Sequence, residues 1–510
     1  MFRLRSYVGA SSALVVIAIV ITALPVAAVA RKKPKQQDSS PPRPVILDVV
    51  ALDNNGAPVT DLLATDVRIS DNGKWQQVVL FRTNFAKRRN TEALVADEYS
   101  NREHPTSPQT VILFDLMNER FMTDAITQNE LVHALEGQET GEALYLYILT
   151  NRGDFIPIHP VQNPQAEGVR EENWTRQIHL LLDSVMKKIF GFRPPDDWDP
   201  GYRFQATLQA VSALSAQMAV VPGRKNLVWV THGVPMVVPD ISGDPIDLSP
   251  QVLQFAATLE KAHIAVYAVD QSSKGAGATL GTFSMQTLED VSELTGGRYY
   301  ASDSVEAAIN QARTDLRASY TVGYFAPLHE ENGKFHRVRV ASSRRGLQLN
   351  TQRGYYAFPE TEPGGQQEAA LNAAATNPFD SSEIGLRAKI EHSASQPAHL
   401  GIRIDAKDVL FRQLGDQFEG DLLLAVFPWD SGDPSRSEGF ATRLQPLTAV
   451  PIHLSMTREQ RDKAMRDDTG IIRDVVLPGA NKRIKLIVLD GNSGAYGSLG
   501  IRLSADNSGS

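Results

Sequence analysis

The middle of the chain alternates short apolar runs with longer amphipathic stretches. The run TVILFDL (110–116) contains Asp115 near its end, and NLVWVTH (226–232) ends on Thr231 and His232. Apolar strands that alternate with helical patterns are typical of a mostly parallel sheet covered by helices, so this region predicts an α/β doubly wound fold. The expected strands are 110–116, 143–149, 226–232, 263–270 and 297–301, and the expected helices lie within 204–220, 250–262, 284–296 and 304–320.

Shorter alternating strands flank this region on both sides. An Asn72-Gly73 pair predicts a tight hairpin turn in the N-terminal flank. We expect a small N-terminal β unit and a C-terminal all-β, sandwich-like domain. The predicted organisation is a signal peptide or N-terminal anchor at 1–30, a linker at 31–44, the β unit at 45–82, the α/β domain with a C-terminal β extension at 108–357, a linker at 358–383 and the all-β domain at 384–510.

The N-terminus has the pattern of a secretory leader. Arg3 and Arg5 precede an uncharged apolar stretch that closes on Ala28-Val29-Ala30, a small-x-small sequence that signal peptidase accepts. The stretch is also long enough to span a bilayer as an uncleaved anchor, so both forms stay open. Either form predicts an extracytoplasmic protein, periplasmic, cell-surface or secreted, with membrane contact only through this segment if it is uncleaved.

Composition excludes several kinds of site. The 510 residues include no cysteine, which rules out disulfides, thiolate nucleophiles and thiolate metal centres. The formal net charge of −8 argues against a general nucleic-acid binder, because phosphate neutralisation requires clustered Lys and Arg. The sequence has no nucleophile elbow, no His-Glu-x-x-His and no Walker loop.

The polar residues that end the central strands predict a common edge. In an open parallel sheet, ligands bind in the crevice beyond the carboxyl ends of the strands. Asp115, Thr231 and His232 occupy those ends in two of the expected strands. We therefore expect them to lie on one rim of the sheet.

Residues 45–357 resemble the exported acidobacterial-type proteins that carry a von Willebrand factor type A (VWFA) domain. VILFDLMN is similar to the first strand of that domain and its acid, NLVWVTHG to the central strand, and HIAVYAVD and LTGGRYY to the last two strands. The flanking LDVVALDNNGAPVTDLLATDVRISDNGKWQQVVLF and YTVGYFAPLHEENGKFHRVRVASSRRGLQLNTQRGYYA suggest the bacterial subgroup. The resemblance implies a VWFA-like α/β domain and does not cover the C-terminal domain.

The resemblance also implies a divalent-cation site. On the family pattern, Asp115 and Thr207 keep metal-ligand roles, Met117 and Glu119 stand where two serines are expected, and His232 replaces a final aspartate. A thioether and an imidazole are poor partners for a hard cation. The site is therefore expected to be degenerate and the protein to have no cofactor, with Mg²⁺ or another divalent cation as the alternative. The favoured role for the acid is to accept backbone N–H bonds and order its loop.

These features predict an exported, non-enzymatic protein-binding or adhesion module. The partner is expected to be a protein or another envelope component. The alternatives are a structural scaffold of a cell-envelope assembly and an uncharacterised hydrolase. The expected binding rim consists of Asp115, Asn118, Glu119, Thr207, Thr231 and His232.

Overall fold

The computed structural model describes the chain from residue 44 onward, with gaps. The predicted leader at 1–30 lies outside the described residues, and so does nearly all of the linker that follows it. No helix among the described residues is both long enough and apolar enough to cross a membrane. The described ranges are 44–84, 94–95, 97–103, 109–118, 144–150, 152–159, 200–219, 223–234, 237–240, 242–271, 281–301, 305–326, 333–357, 363–377, 380–393, 396–429, 445–466, 470–477 and 483–503.

Strands dominate the described residues. The helices are α1 (Pro200–Ala219), α2 (Ser249–Lys261), α3 (Gly281–Thr295), α4 (Val305–Arg317), α5 (Pro363–Thr376) and α6 (Arg458–Arg466). The strands are β1 (Pro44–Asp53), β2 (Val67–Asp71), β3 (Lys74–Gln76), β4 (Leu80–Thr83), β5 (Glu98–Ser100), β6 (Thr110–Asp115), β7 (Leu144–Leu149), β8 (Phe155–His159), β9 (Lys225–Thr231), β10 (Val237–Pro239), β11 (Pro245–Asp247), β12 (Ile264–Asp270), β13 (Arg298–Ala301), β14 (Ser319–Phe325), β15 (Phe335–Ser342), β16 (Leu347–Asn350), β17 (Gly354–Tyr356), β18 (Leu386–Ser393), β19 (Gln396–Ile404), β20 (Arg412–Leu414), β21 (Gln417–Pro428), β22 (Thr448–Thr457), β23 (Ile471–Val476), β24 (Arg483–Asp490) and β25 (Tyr496–Arg502).

A six-stranded mixed sheet with the order β13-β12-β9-β6-β7-β8 lies in the middle of the chain. The pairs from β13 to β7 are parallel, and β8 is antiparallel to β7. Residues of β6, β9 and β12 are buried on both faces because each face has its own apolar cluster. Helices α1, α2 and α3 contribute to one cluster and α4 to the other. The parallel strands therefore end at a common edge, with helices beside them.

The expected fold class, an α/β doubly wound chain with a mostly parallel VWFA-like sheet, is wrong. The described chain is mostly β, its central sheet is mixed, and the strand pairs of the other sheets are antiparallel. Two sequence features caused the error. The expected strands did not include the stretch FIPIH of β8, an antiparallel edge strand that tolerates its proline. The short strands of both flanks were treated as additions to an α/β fold, whereas they form most of the described structure.

Two four-stranded sheets share one core and join distant parts of the sequence. Their orders are β16-β1-β14-β4 and β17-β15-β2-β3. Strand β1 pairs with β14 from Pro44 opposite Phe325 to Val50 opposite Ser319, and then with β16. Buried side chains of β1, β2, β14 and β15 form a single apolar cluster. The sheets that contain the N-terminal strands thus also contain strands from residues 319–356. The domain boundaries expected from the sequence remain a prediction.

A second pair of sheets encloses another large apolar cluster. One has the order β23-β19-β18-β5, and the other contains β20, β21, β24 and β25 with β22 paired to β21. Side chains from both sheets contribute to this cluster, including Ile402, Leu424 and Leu486. Alternate residues of an antiparallel strand point to one face, so each strand supplies an apolar row to the shared core. The short strand β5 pairs with β18, which ties residues near 100 to this part of the chain.

Asp71 fastens the two sheets of the N-terminal pair together. Its Oδ2 atom accepts the hydroxyls of Tyr324 at 2.8 Å and Tyr355 at 2.9 Å. Its Oδ1 atom lies 3.2 Å from Nδ1 of His336. Asp71 and His336 are each 2% exposed. Tyr324 belongs to one sheet and the other three residues to the opposite sheet, so the carboxylate links the layers through the core.

We expect Asp71→Asn to lower the free energy of unfolding by about 2–3 kcal/mol, because one amide oxygen cannot accept all of these donors in a buried site. Chemical denaturation at pH 7 measures the loss. Asp61→Asn is the control, since Asp61 pairs with Arg344 at an exposed position and its loss should cost below about 1 kcal/mol. Equal losses in the two variants would contradict the assigned role of Asp71.

Candidate functional site at the carboxyl ends of the parallel strands

Two neighbouring parallel strands place an acid and a hydroxyl at the same edge. Asp115 is the last residue of β6 and Thr231 is the last residue of β9. Phe114 lies opposite Val230 in the register of these strands, so the two end residues are neighbours. The hydroxyl of Thr231 donates to Oδ2 of Asp115 at 2.9 Å. The rim that the sequence predicts therefore has a hydrogen-bonded centre.

Both carboxylate oxygens of Asp115 accept hydrogen bonds. Oδ1 accepts the backbone N–H of Met117 at 3.0 Å. Besides the Thr231 hydroxyl, Oδ2 accepts the side-chain amide of Asn118 at 3.0 Å and the indole N–H of Trp229 at 3.3 Å. Asp115 is 1% exposed. An ionised carboxylate has about two acceptor sites on each oxygen. Three donors therefore crowd Oδ2, whereas Oδ1 accepts one.

The environment of Asp115 acts on its pKa in two opposing ways. Burial raises the pKa of Asp115, and the donors from Asn118, Thr231, Trp229 and Met117 oppose that rise. The net direction is upward. The folded state of such an acid binds its proton more tightly than the unfolded state does. The stability of the fold therefore decreases as the pH rises from the unfolded-state pKa, near 4, to the folded-state pKa. The hydrogen bonds limit this loss.

Asn118 connects the loop after β6 to helix α1. Its side-chain nitrogen donates both to Oδ2 of Asp115 and to Oγ1 of Thr207, the second at 2.8 Å. Thr207 is fully buried in α1, and Asn118 is 7% exposed. The Thr231 hydroxyl also accepts the N–H of Gly233 at 3.2 Å. Asp115, Asn118, Thr207 and Thr231 thus form one buried network that holds two loops and a helix together.

The other predicted site residues have different positions. His232 is half-buried just beyond the end of β9. Glu119 lies outside the described residues. Met117 is 3% exposed and its side chain belongs to the apolar cluster under α1 and α2. A methionine at this position therefore serves packing rather than the rim.

Sequence reasoning missed Trp229 and Tyr202. Trp229 is two residues before Thr231 in β9 and so faces the same side of the sheet, a period-2 relation that could have predicted its bond to Asp115. Tyr202 lies in the first turn of α1 and is 47% exposed. A Cβ atom built on Gly153 would lie 3.4 Å from both the Tyr202 hydroxyl and Cε of Met117, which places the tyrosine beside the rim.

The residues present do not fit the divalent cation that the family resemblance implies. Mg²⁺ requires oxygen ligands with free lone pairs in near-octahedral geometry. The Oδ2 atom of Asp115 is engaged by three donors, and the amide nitrogen of Asn118 lies between this oxygen and the hydroxyl of Thr207. Within the described ranges, no group of three or more His, Asp or Glu side chains is arranged to hold a metal.

Comparisons with known proteins identify no family for the chain. No family profile matches it, and no curated protein matches it significantly. Among solved structures, human COPII-coat protein Sec24c is 14% identical over 58% of this chain and 52% of its own, with a TM-score of 0.25.

Two structures of the pilus adhesin SpaC from Lactobacillus rhamnosus GG are each 11% identical. They cover 87% and 88% of this chain, with TM-scores of 0.27 and 0.24. The chain spans between 52% and 58% of the length of these three structures. TM-scores in this range support no inference about fold or function, so membership of the VWFA family stays a prediction.

We expect Thr231→Val to lower the free energy of unfolding by about 1.5–3 kcal/mol at pH 7, because it removes a donor to a buried carboxylate and orphans the N–H of Gly233. The loss should shrink towards pH 4, where protonated Asp115 needs fewer donors. Urea denaturation at both pH values measures it. Thr231→Ser, which keeps the hydroxyl, is the control. A loss independent of pH would contradict the assigned hydrogen bond to the charged acid.

We expect titration of the full chain with Mg²⁺, Mn²⁺ or Ca²⁺ to release no heat that depends on Asp115, because three donors surround its Oδ2 atom and Asn118 separates it from Thr207. Isothermal calorimetry of the wild type and of Asp115→Asn checks this. The asparagine keeps the side-chain shape while removing the charge. Tight binding to the wild type that is lost in Asp115→Asn would overturn the conclusion that the residues do not fit a cation.

Proposed function

We propose that the chain is an exported, non-enzymatic protein-binding module that uses the rim at the carboxyl ends of its parallel strands. The observation that carries the proposal is a buried, hydrogen-bonded acid at the strand ends, flanked by two elements that each expose an apolar side chain, Tyr202 and Ile246. Exposed aromatic and aliphatic groups beside a rigid framework are typical of protein-recognition surfaces. The proposed partner is a protein of the cell envelope, and no cofactor takes part.

Tyr202 is the proposed aromatic anchor. Its ring is half-exposed at the start of α1, while Phe204 in the same turn is fully buried. The buried Phe204 thereby fixes the start of the helix, from which the tyrosine side chain extends towards solvent. A tyrosine on a fixed element presents a large amphipathic contact surface with little loss of side-chain entropy on binding, which favours its use as a hot spot.

Ile246 supplies an aliphatic group on the same side of the sheet. It lies in the β10–β11 hairpin, which follows the carboxyl end of β9, and it is 43% exposed. Its direct partner Val238 is 3% exposed and belongs to the core cluster. One strand of the hairpin therefore anchors it to the core while the other offers an apolar side chain to solvent.

The hydrolase alternative has little support at this site. Covalent catalysis needs a nucleophile that reaches the substrate and a base that accepts its proton. The hydroxyls of Thr207 and Thr231 belong to side chains that are 0% and 1% exposed. Asp115 already accepts four donors, including the Thr231 hydroxyl. The network is arranged to hold loops in place, and this favours binding over chemistry.

We expect the double variant Tyr202→Ala/Ile246→Ser to retain at least about tenfold less of a specific envelope protein than the wild type, because hot-spot truncations each cost about 1–2 kcal/mol or more. Immobilised full-length chain is incubated with envelope extract, and retained proteins are quantified by mass spectrometry.

The control for this experiment is Leu414→Ser/Ile472→Ser, which removes two exposed aliphatic side chains from the C-terminal pair of sheets. Proteins retained equally by the wild type and the rim variant would exclude the rim as the binding surface. Loss confined to the control would favour the scaffold role instead. Steady turnover of a panel of ester, peptide and glycoside substrates would overturn the non-enzymatic assignment.

A further inference from the structure

The outer face of the β17-β15-β2-β3 sheet carries an arginine face, defined here as Arg68, Arg337, Arg339 and Trp75. Ser70 of β2 lies opposite both Trp75 of β3 and Arg339 of β15, so these three residues form one row on one side of the sheet. Arg337 and Arg68 lie two residues from Arg339 and Ser70 on the same strands and share that side. The opposite side of the sheet faces the apolar core.

Among the described residues, the three arginines have no acidic partner. All are exposed, and within the described part of the chain none of their guanidinium groups forms an ion pair. Arg344 near the end of β15 differs, because it pairs with Asp61 at 2.9 Å. Asp66, which precedes β2, accepts the backbone N–H of Leu63. The chain as a whole has a net charge of −8, so a cluster of uncompensated arginines departs from its average surface.

Trp75 is the most exposed of the large apolar side chains in the described residues, at 68%. It lies on the edge strand of its sheet, where no further strand covers it in the described chain. Ser70 between it and Arg339 is 7% exposed, as expected for a short side chain flanked by an indole and a guanidinium group. Trp and Arg are the residues most enriched at binding hot spots. Their combination on one rigid sheet face indicates recognition of an anion.

We propose that the arginine face binds an extended acidic segment of a partner protein, with Trp75 packing against its apolar side chains. This surface is distinct from the rim, so the inference goes beyond the proposed function and does not depend on it. The guanidinium group presents a planar fork of donors that matches a carboxylate in bidentate geometry. A protein segment supplies both carboxylates and apolar groups, which the mixed composition of the face requires.

The spacing of the arginines specifies the form of the ligand. Arg337 and Arg339 are two residues apart on one strand, so their Cα atoms are separated by about 6.7 Å. Arg68 lies diagonally across from Arg339, at about 7–8 Å. Acidic residues at every second position of an extended peptide have the same repeat of about 6.7 Å. Alternating acids would therefore meet successive arginines, whereas a helix would turn them away.

Peptide binding to the full-length chain tests this inference. The first probe is a fluorescent peptide of alternating Thr and Glu that ends in Thr-Leu, so that an apolar side chain continues the row of acids. The second has the same composition and the same Thr-Leu end, with its acids in a Glu-Glu-Thr-Thr repeat, which places the acids of one face about 13 Å apart. Fluorescence anisotropy at low salt gives the dissociation constants. We expect the alternating peptide to bind more tightly than the second probe, and its affinity to fall with added salt.

Two variants identify the site. Arg337→Gln/Arg339→Gln should weaken binding of the alternating peptide at least about tenfold, and Trp75→Ala should weaken it several-fold. The control Lys389→Gln/Arg403→Gln removes the same charge from the sheet that contains β18 and β19 and should leave binding unchanged. Acids lie close by in that sheet, since Glu98 is opposite Lys389 and Asp474 is opposite Gly401.

Three outcomes would overturn the proposal. The first is absence of measurable binding by the alternating peptide at low salt. The second is an equal loss in the arginine variant and the control, which would indicate attraction by overall charge. The third is binding of anionic phospholipid vesicles through these arginines without binding of the peptide, which would assign the face to a membrane surface.

Discussion

A buried carboxylate must have hydrogen-bond donors, and this requirement fixes how four of the described strands end. Four strands close on an aspartate that is at most 4% exposed and accepts hydrogen bonds from its surroundings: Asp71, Asp115, Asp270 and Asp490. The donors are tyrosine, threonine and serine hydroxyls, amides, an indole and backbone N–H groups. Asp115 is thus one member of a group spread over different sheets. Its place at a strand end needs no cation to explain it.

A second constraint joins the sheet pair at the N-terminus to the central sheet. Strand β1 is buried, so both of its backbone edges must be paired, and its partners β14 and β16 lie far along the chain. This pairing brings Asp48 of β1 within 3.0 Å of His263, which precedes β12 and has a left-handed φ of 54°. A non-glycine residue holds that conformation only where its surroundings stabilise it. The ion pair and the backbone bonds of His263 supply that stabilisation.

The charges of this pair reinforce each other. Burial raises the pKa of Asp48, but the charge of His263 and its hydrogen bond lower it, and the net direction is downward. Burial favours the neutral ring, yet the charge of Asp48 raises the pKa of His263. The contribution of Asp48 is lost as pH falls through its folded-state pKa, and that of His263 as pH rises through its own. The pair therefore stabilises the junction most between about pH 4 and 6.5.

The sequence predicted local features well where one physical signal dominated. Apolar runs such as 110–116 and 226–232 are buried on both faces, so their continuous hydrophobicity identified strands, and parallel pairing put Asp115 and Thr231 at one edge. The prediction of the fold class was wrong because the fold depends on which strands pair, and the partner strand β14 of β1 lies some 270 residues later in the chain. No local pattern encodes that choice. Of the donors to Asp115, Trp229 shares the side of Thr231 by its two-residue spacing and could have been predicted, whereas Asn118 donates from a loop whose path no periodic pattern describes.

The acids at the strand ends do not use the exposed arginines as partners. Some acids are paired with arginine, as Asp408 is with Arg102 and Asp315 with Arg298. At the strand ends, however, neutral donors take that role, which avoids the desolvation penalty of burying a second charge. These strand ends therefore need no arginine, and Arg68, Arg337 and Arg339 are exposed on the outer face of their sheet. There their guanidinium groups stay hydrated until an external carboxylate replaces the water, so the same chemistry that closes the core on neutral donors leaves the cations available for a partner.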